Sequence, residues 1–255
     1  MGGFEPSPVS EGATEILTQI DGTMVPITHA GKGKDRRKGK STAWVEVRLC
    51  SARQPGKVEP IYGAGRADCE GIKWTWEATV RQAGWRPETR VYGVGDGARW
   101  IAEQFDLLFG RQGQYLLDFY HVSGYLAEAS KELHSCEKKA TKWRRDQQTK
   151  LLSGKSKHVI QGLAKRAAEG PPESAIAKAH QYLKKRKDQL HYDQARANDR
   201  PIGSGEIESG HRHVIQQRLK ISGAWWKEAH LQPMLNLRTV RANNQWDNYW
   251  KSFSC

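Results

Sequence analysis

Three short segments with the pattern of β-strands each run into an aspartate, and this arrangement constrains the fold of the chain more than any other feature. The segments are residues 16–20, 90–94 and 115–117, and the acids that follow them are Asp21, Asp96 and Asp118. In mixed α/β sheets, ligands gather where strands end. An isolated Asp-Gly pair after a strand is more often a simple turn. A ligand site at these strand ends therefore requires a further acid elsewhere in the chain.

Strand and helix patterns alternate along the first half of the chain. The further patterns are strands at 43–50 and 58–62 and helices at 70–82 and 98–109. Residues 121 to about 192 are nearly all helical in composition, and two more helices are expected at 206–221 and 225–243. The order β-β-β-α-β-α-β followed by helices predicts an α/β fold, in which helices flank a mixed sheet and a large all-helical insertion interrupts it.

The chain is strongly basic, with 41 Lys and Arg against 28 Asp and Glu. Residues 131–200 contain 18 basic and 8 acidic residues, and residues 31–40, a predicted hairpin loop, contain six and one. A solvated helix face is the alternative explanation. Such blocks are typical of proteins that bind a polyanion, because each neutralised phosphate releases counterions. The basic residues predicted to hold a nucleic-acid backbone are Lys32, Lys34, Arg36, Arg37, Lys38, Arg144, Arg145, Lys184, Lys185, Arg186 and Lys187.

Membrane and secretory functions are not expected. No segment approaches the roughly 20 consecutive apolar residues that span a bilayer, and the first residues lack the pattern of a secretory signal. The four cysteines lie far apart without paired spacing, so we expect reduced thiols rather than disulfides or a zinc site. These features predict a cytoplasmic protein without membrane contact.

A glycine-rich loop at residues 200–205 supplies the further acids. It opens a helix whose first turns carry Glu206 and Glu208, with His211 three residues after the second glutamate. One glutamate at a helix start is ordinary complementation of the helix dipole. Two glutamates among basic residues, together with the strand-end aspartates, suit Mg²⁺, a hard cation that prefers oxygen ligands.

The order of these motifs resembles that of DDE transposases of bacterial insertion sequences, with the ISKra-type group, related to Mutator-like elements, as the nearest match. The motifs are DGTMVP at 21–26, GVGDGARWI at 93–101, LDFYHV at 117–122 and PIGSGEIES at 201–209. Further similar segments lie at 217–226, 235–238 and 246–250. The resemblance therefore extends over nearly the whole chain.

This resemblance implies a ribonuclease H-like core that binds Mg²⁺ or Mn²⁺, with two ions expected. Asp21, Asp96 and Glu208 would be the catalytic and metal-binding acids, and a contribution from Glu206 stays open. The reaction would be in-line attack at phosphorus, giving DNA strand cleavage and strand transfer without a covalent protein intermediate. The residues that would support the acids or contact DNA are Asp118, His121, His211, Arg212 and Arg218. For Asp118 and His121, which match a (C/D)xxH element, a purely structural role is the alternative.

The partners implied are double-stranded DNA, as element ends and target, and further copies of the chain in a homo-oligomer on DNA. Such a protein would be cytoplasmic in a bacterium and would associate with the nucleoid when bound to DNA. The expected organisation is an N-terminal remnant (1–14), the first part of the core (15–120), a basic helical insertion (121–200) and C-terminal helices that complete the core (201–255).

Family members generally carry a DNA-binding region before the catalytic core, and here only 20 residues precede Asp21. Two explanations fit this difference, a truncated or split reading frame and a copy that has lost its end-recognition module, and in both the residues for chemistry are retained. Two alternatives stay open, a transposase remnant that binds DNA without catalysis and a ribonuclease H-like nuclease such as a resolvase. Trp225, Trp226, Trp246 and Trp250 could stack on unpaired bases, but packing over the sheet is favoured. Trp100 is expected in the core.

Overall fold

The computed structural model describes residues 12–32, 34–35 and 38–253 and contains a five-stranded mixed sheet flanked by helices. The strands are β1 (Glu15–His29), β2 (Ser41–Arg53), β3 (Ile61–Gly65), β4 (Arg90–Gly95) and β5 (Gly113–Leu117). Their order in the sheet is β3-β2-β1-β4-β5. β1 pairs antiparallel with β2 and parallel with β4, so the predicted mixed α/β sheet is confirmed.

β1 does not end at Asp21, as its pattern predicted, but continues to His29. The reason is its long antiparallel partner, because the pairing runs without interruption from Leu17 opposite Arg53 to His29 opposite Ser41. The parallel pairing with β4 is much shorter and ends at Thr18. Asp21 therefore lies inside a strand but beyond the end of its parallel pairing.

Two other boundaries bear on the predictions. β3 begins at Ile61, directly after Pro60, rather than at residue 58. Proline has no N–H to donate to a strand partner, so it fits ahead of the strand better than within it. The basic residues 31–40 lie between β1 and β2, and the predicted hairpin loop is confirmed. Arg36 and Arg37 of this loop lie outside the described residues.

Helices fill most of the remaining described chain. They are α1 (Ile72–Gln82), α2 (Arg99–Phe109), α3 (Phe119–Leu133), α4 (Glu137–Leu152), α5 (Ser156–Ala167), α6 (Ala175–Lys185), α7 (Tyr192–Ala197), α8 (Gly205–Gly210), α9 (Gln217–Leu219), α10 (Leu231–Ala242) and α11 (Trp246–Lys251). A π-helical segment, His211–Gln216, joins α8 to α9. The helical segment expected after residue 121 is present, with breaks at the predicted Ser153-Gly154 and Gly170-Pro171.

The described chain divides into two compact units. Unit 1 contains the residues up to Gly93, Trp100–Gln114 and the residues from Gly205 onward. In this unit one face of the sheet packs against the C-terminal helices, through Val25, Leu49 and Ile207 among others. The opposite face carries an aromatic cluster in which the ring of Phe105 lies 5.9 Å from that of Trp76 and 5.0 Å from that of Phe109.

Unit 2 contains Val94–Arg99 and Tyr115–Ser204. Its helices α3, α4, α5 and α6 pack on one another, and α7 packs on α4. The buried side chains that fill this bundle include Leu126, Leu151, Leu163, Leu183 and Tyr192. The unit is therefore a helical bundle with its own apolar core.

No helix among the described residues has the length and apolar composition that crossing a bilayer requires. The cysteines that the structure describes, Cys50, Cys69 and Cys136, are free thiols, as their spacing predicted.

Candidate functional site

In unit 1, alternate residues of β1 face the segment from α8 to α9. The side-chain oxygen of Gln19 accepts a hydrogen bond from the backbone N–H of Ile207 at 2.9 Å. Lys220 Nζ donates to the hydroxyl of Thr23 at 2.8 Å. Successive side chains of a strand point to opposite faces, so Asp21, midway between these two residues, lies on the same face. This face of β1 therefore holds one predicted acid against the helix that carries the others.

Asp21 meets the helical segment at His211. His211 Nε2 lies 3.3 Å from Asp21 Oδ2, and the other oxygen of Asp21 accepts the backbone N–H of Gly22 at 2.7 Å. The His211 side chain is only 6% exposed, whereas that of Asp21 is 40% exposed. The ring nitrogens of His211 make no hydrogen bond of standard geometry within the described structure. This buried ring therefore lies beside a carboxylate that also reaches solvent.

Glu206 and Glu208 have different surroundings. Glu206 Oε1 accepts from the hydroxyl of Ser51 at 2.8 Å, and its Oε2 accepts from Arg53 Nε at 2.5 Å. Glu208 is exposed. Residues two positions apart on an α-helix are separated by about 200° around its axis. Glu208 therefore lies on the edge of α8 away from Arg53. The charge of Glu206 is used within the fold, which leaves Glu208 as the acid that faces solvent.

Glycine at position 210 lets α8 lie close against the sheet. A Cβ added to Gly210 would lie 2.6 Å from Tyr62 Cε1 and 2.9 Å from Leu49 Cδ2, closer than side chains pack. Burial and the neighbouring charge of Glu206 raise the pKa of the Tyr62 hydroxyl to about 12, so this phenol stays neutral. The close approach places His211, the next residue, beside β1.

Asp96 lies in unit 2, on a loop fixed by α6. Its Oδ1 accepts the backbone N–H of Ala98 at 2.8 Å. The Tyr182 hydroxyl donates to the backbone oxygen of Asp96 at 2.5 Å, and Arg186 Nε donates to that of Gly97 at 2.7 Å. Gly97 has a φ of +78°, a conformation that favours glycine. Burial raises the pKa of the Tyr182 hydroxyl, which keeps its proton available for this bond.

Asp118 is buried and fully used by the protein. Its Oδ1 accepts the backbone N–H groups of Tyr120 and His121, at 2.6 and 2.9 Å, and so caps α3. Its Oδ2 accepts the backbone N–H of Ser204 at 2.7 Å and the Ser204 hydroxyl as well. With 4% exposure and both oxygens bonded within the protein, Asp118 is placed to support the site or the fold rather than to contact DNA. His121 is exposed, and its ring lies 5.7 Å from those of Tyr125 and Tyr182.

Most of the basic residues assigned to DNA are exposed. These are Lys32, Lys34, Lys38, Arg145, Lys184, Lys185, Lys187, Arg212 and Arg218. Arg186 requires a correction, because its guanidinium is half-buried and donates to the backbone oxygens of Gly97 and Tyr182. It supports the loop of Asp96 rather than standing free for a phosphate. Arg144 is half-buried too, with its Nε enclosed by protein.

The tryptophans do not behave as one group. Trp226 packs against the apolar core beneath the C-terminal helices, as predicted. Trp225, Trp246 and Trp250 remain 43%, 39% and 46% exposed, so packing does not account for them fully. Trp100 is half-buried under the guanidinium of Arg48, 4.9 Å from its ring centre, rather than in the core.

The donor chemistry of the three predicted acids fits a hard divalent cation, since each offers the carboxylate oxygens that such a cation prefers. Across residues 12–32, 34–35 and 38–253, however, no group of three or more His, Cys, Asp or Glu side chains has an arrangement that could hold a metal ion. Asp21 and Glu208 belong to unit 1 and Asp96 to unit 2.

Several residues that fix α8 and the Asp96 loop in place could not be identified from any sequence pattern. Gln19, Ser51 and Arg53 hold α8 through contacts with residues more than 150 positions away. Tyr182 holds the Asp96 loop across 86 positions. Ser204 lies in the glycine-rich motif before α8, and the sequence marks it there only as a poor candidate for a nucleophile.

A family model described as an uncharacterised protein family, UPF0236, matches residues 81–248. No curated protein matches the chain. Among solved structures, the chain is similar to the Drosophila P element transposase strand transfer complex, at 11% identity and a TM-score of 0.30. That match covers 98% of this chain and 69% of the other. A TM-score of this size does not establish a shared fold.

Proposed function

The chain belongs to UPF0236, a family without a described activity, and we propose from its residues that it is the catalytic core of a DNA transposase. In this proposal the sheet is of the ribonuclease H-like type. Asp21, Asp96 and Glu208 hold two divalent cations, Mg²⁺ or Mn²⁺, and the protein cleaves DNA strands and joins them to a target.

The register of β1 against β4 is the observation that carries the proposal. The parallel pairing ends with Thr18 opposite Gly93. Asp21 follows Thr18 by three residues, and Asp96 follows Gly93 by three residues. Parallel strands deliver residues of equal register to the same edge of a sheet, and ligands of mixed α/β sheets bind at the carboxyl edge. The equal spacing of the two acids from the paired residues, Thr18 and Gly93, supports a shared role.

The choice of Glu208 as the third acid rests on the contacts of α8. Ser51 and Arg53 bind both oxygens of Glu206, whereas Glu208 lies on the exposed edge of the same helix. His211, which contacts Asp21, is one helical turn beyond Glu208. This placement supports the assignment of Glu208, together with Asp21, to cation binding.

Carboxylates that share a site repel one another when no cation is bound. Bound ions would offset this repulsion, so we expect a metal-dependent rise in thermal stability. When bound, the ions would neutralise charge on the scissile phosphate and polarise it toward attack. The part of the protein in this step is to present the carboxylates and to hold the DNA.

Positive charge supports DNA as the substrate. The hairpin loop between β1 and β2 exposes Lys32, Lys34 and Lys38 in unit 1. In unit 2, Lys184, Lys185 and Lys187 are exposed at the end of α6 and just beyond it. Contacts of this kind neutralise phosphates without reading bases, so they position a duplex.

The test is strand cleavage of duplex DNA taken from the sequence that flanks the gene, with Mg²⁺, Mn²⁺ or EDTA. We expect cleavage and joined products with either ion, and none with EDTA or with Asp96→Asn. Asp106→Asn, a change of an exposed aspartate on α2, is the matched control and should behave as wild type.

Three results would contradict the proposal. Salt-sensitive DNA binding without any product would indicate a non-catalytic remnant. Cleavage of branched DNA without joining would indicate a resolvase-like nuclease. Undiminished cleavage by Asp96→Asn would remove the assigned acid from the reaction.

A further inference from the structure

We propose that His211 is a positioning residue for Asp21: its Nε2–H donates to Asp21 Oδ2 and fixes the orientation of that carboxylate. The proposal rests on the proposed function for the part of Asp21 in binding a cation. The hydrogen bond itself concerns only residues of unit 1.

The burial of the ring leaves His211 few alternatives. Its side chain is 6% exposed, and Nε2 lies 3.3 Å from Asp21 Oδ2. Neither ring nitrogen has a standard hydrogen bond to another group in the described parts of the chain. A buried polar atom without a partner is unfavourable, so a small adjustment that brings Nε2–H into line with Oδ2 is favoured. The tautomer with its proton on Nε2 makes this bond.

The local backbone is shaped to deliver this ring to β1. Gly210 lets the helix approach the sheet so closely that an added Cβ would lie 2.6 Å from an atom of the Tyr62 ring. The π-helical segment begins at His211 itself. Wide turns of this kind are rare in proteins, and those that occur are often at functional sites. They rotate the following side chains relative to a regular α-helix. Two unusual backbone features thus meet at the residue that contacts Asp21.

The consequence for Asp21 is a fixed carboxylate. Its Oδ1 accepts the N–H of Gly22, and its Oδ2 would accept Nε2–H of His211. Each oxygen keeps a further lone pair, and 40% of the side chain stays exposed. Hydrogen bonds to a ligating carboxylate orient it toward the metal, and their loss typically weakens metal affinity about 10- to 100-fold.

Three variants separate positioning from packing. His211→Ala removes the ring, and His211→Gln retains an N–H donor near the place of Nε2. His213→Ala is the matched control, because His213 is exposed and lies only two residues further along the same segment. Thermal unfolding of each variant identifies any loss of fold.

The first measurement is Mn²⁺ affinity by electron paramagnetic resonance on the full chain. We expect His211→Ala to bind Mn²⁺ about 10- to 100-fold more weakly than wild type, with His211→Gln largely restored and His213→Ala unchanged. A folded His211→Ala protein that binds Mn²⁺ as tightly as wild type would overturn the inference. So would a folded His211→Gln protein that binds Mn²⁺ no more tightly than His211→Ala.

The second measurement does not depend on catalysis. In a sample with ¹⁵N-labelled histidine, the Nε2–H proton of His211 should exchange slowly in wild type and be lost in Asp21→Ala. It should persist when Mg²⁺ is added. A proton on Nδ1 instead, or its loss from Nε2 on Mg²⁺ addition, would overturn the inference. If the wild-type protein shows this hydrogen bond and binds Mn²⁺ but cleaves no DNA, the proposed function is contradicted and the inference about His211 is not.

Discussion

Arg53 on β2 binds Glu206 on α8 through a 2.5 Å contact between Nε and Oε2, and both side chains are mostly buried, at 23% and 18% exposure. The serine two residues earlier on the same strand binds the other oxygen of this glutamate. The pair attaches the glycine-rich helix start to the sheet. It also separates two glutamates that look equivalent in sequence, because the second of them is left exposed.

This difference predicts opposite effects for two neighbouring substitutions. Glu206→Ala should lower the free energy of unfolding by about 2 kcal/mol, because it leaves Arg53 and Ser51 without their acceptor. Glu208→Gln should change stability by less than about 0.5 kcal/mol, since it alters an exposed side chain, but it should abolish Mg²⁺-dependent cleavage. Urea denaturation and the cleavage assay measure the two effects. Loss of cleavage in a folded Glu206→Gln protein with normal activity in Glu208→Gln would reverse the assignment.

Asp118 should behave as a structural anchor. Asp118→Ala removes the cap of α3 and the acceptor for Ser204, and we expect unfolding to become easier by about 2 kcal/mol. Ser204→Ala removes only one of these hydrogen bonds, so it should lower the free energy of unfolding by less than Asp118→Ala does. Thermal and urea unfolding give both values. A stability equal to wild type in Asp118→Ala, with weaker DNA binding, would show a direct contact instead.

The Tyr182 hydroxyl should matter because it fixes the Asp96 loop. Tyr182→Phe removes the donor to the Asp96 backbone oxygen, and we expect a loss of about 1 kcal/mol together with slower cleavage. Tyr125→Phe is the control, because this ring stacks on Tyr182 at 4.0 Å and its substitution leaves that bond intact. Equal cleavage rates for the two variants would contradict a role of the hydroxyl in holding the loop.

Gly210 should tolerate a side chain only at a cost in stability. Gly210→Ala places a Cβ against Tyr62 and Leu49, and overpacking of this kind costs about 1–3 kcal/mol. Gly205→Ala, at the other end of α8, meets nothing within 4 Å and should be neutral in comparison. Unfolding midpoints of the two variants make the test. A Gly210→Ala protein as stable as Gly205→Ala would mean that α8 does not lie this close to the sheet.

Cys50 should make stability depend on pH in the alkaline range. Burial raises the pKa of its thiol from 9.0 to about 12. The unfolded chain ionises this thiol at lower pH than the folded chain, so its contribution is complete below pH 9 and falls as pH rises toward 12. Cys50→Ala removes that contribution. The difference in urea midpoint between wild type and Cys50→Ala should therefore shrink from pH 8 to pH 10.5, and a constant difference would contradict the shift.

The sheet and its loop could be predicted because their signals are local. Alternating residues identified β2, and glycines with basic residues identified the hairpin loop at 31–40. The end of β1 was predicted wrongly, because an Asp-Gly pair looks like a turn and only the pairing with β2 carries the strand past it. Hydrogen-bonded partners far along the chain override such a local signal.

The surroundings of the acids could not be predicted for the same reason. Nothing near Glu206 in the sequence indicates Arg53, and nothing near Asp96 indicates Tyr182. Arg186 shows the limit of charge patterns, since it stands in a run of basic residues but binds backbone oxygens of its own unit. Composition indicates a polyanion partner, whereas the fold determines which basic side chains remain available to bind it.

The most direct measurement is a calorimetric titration of the full chain with Mn²⁺, in wild type and in Asp21→Asn, Asp96→Asn and Glu208→Gln. We predict binding of up to two ions by wild type, and weaker or absent binding in each of the three variants while Glu206→Gln binds as wild type. Wild-type protein that takes up no Mn²⁺ at millimolar concentration, or variants that bind it as tightly as wild type, would contradict the account.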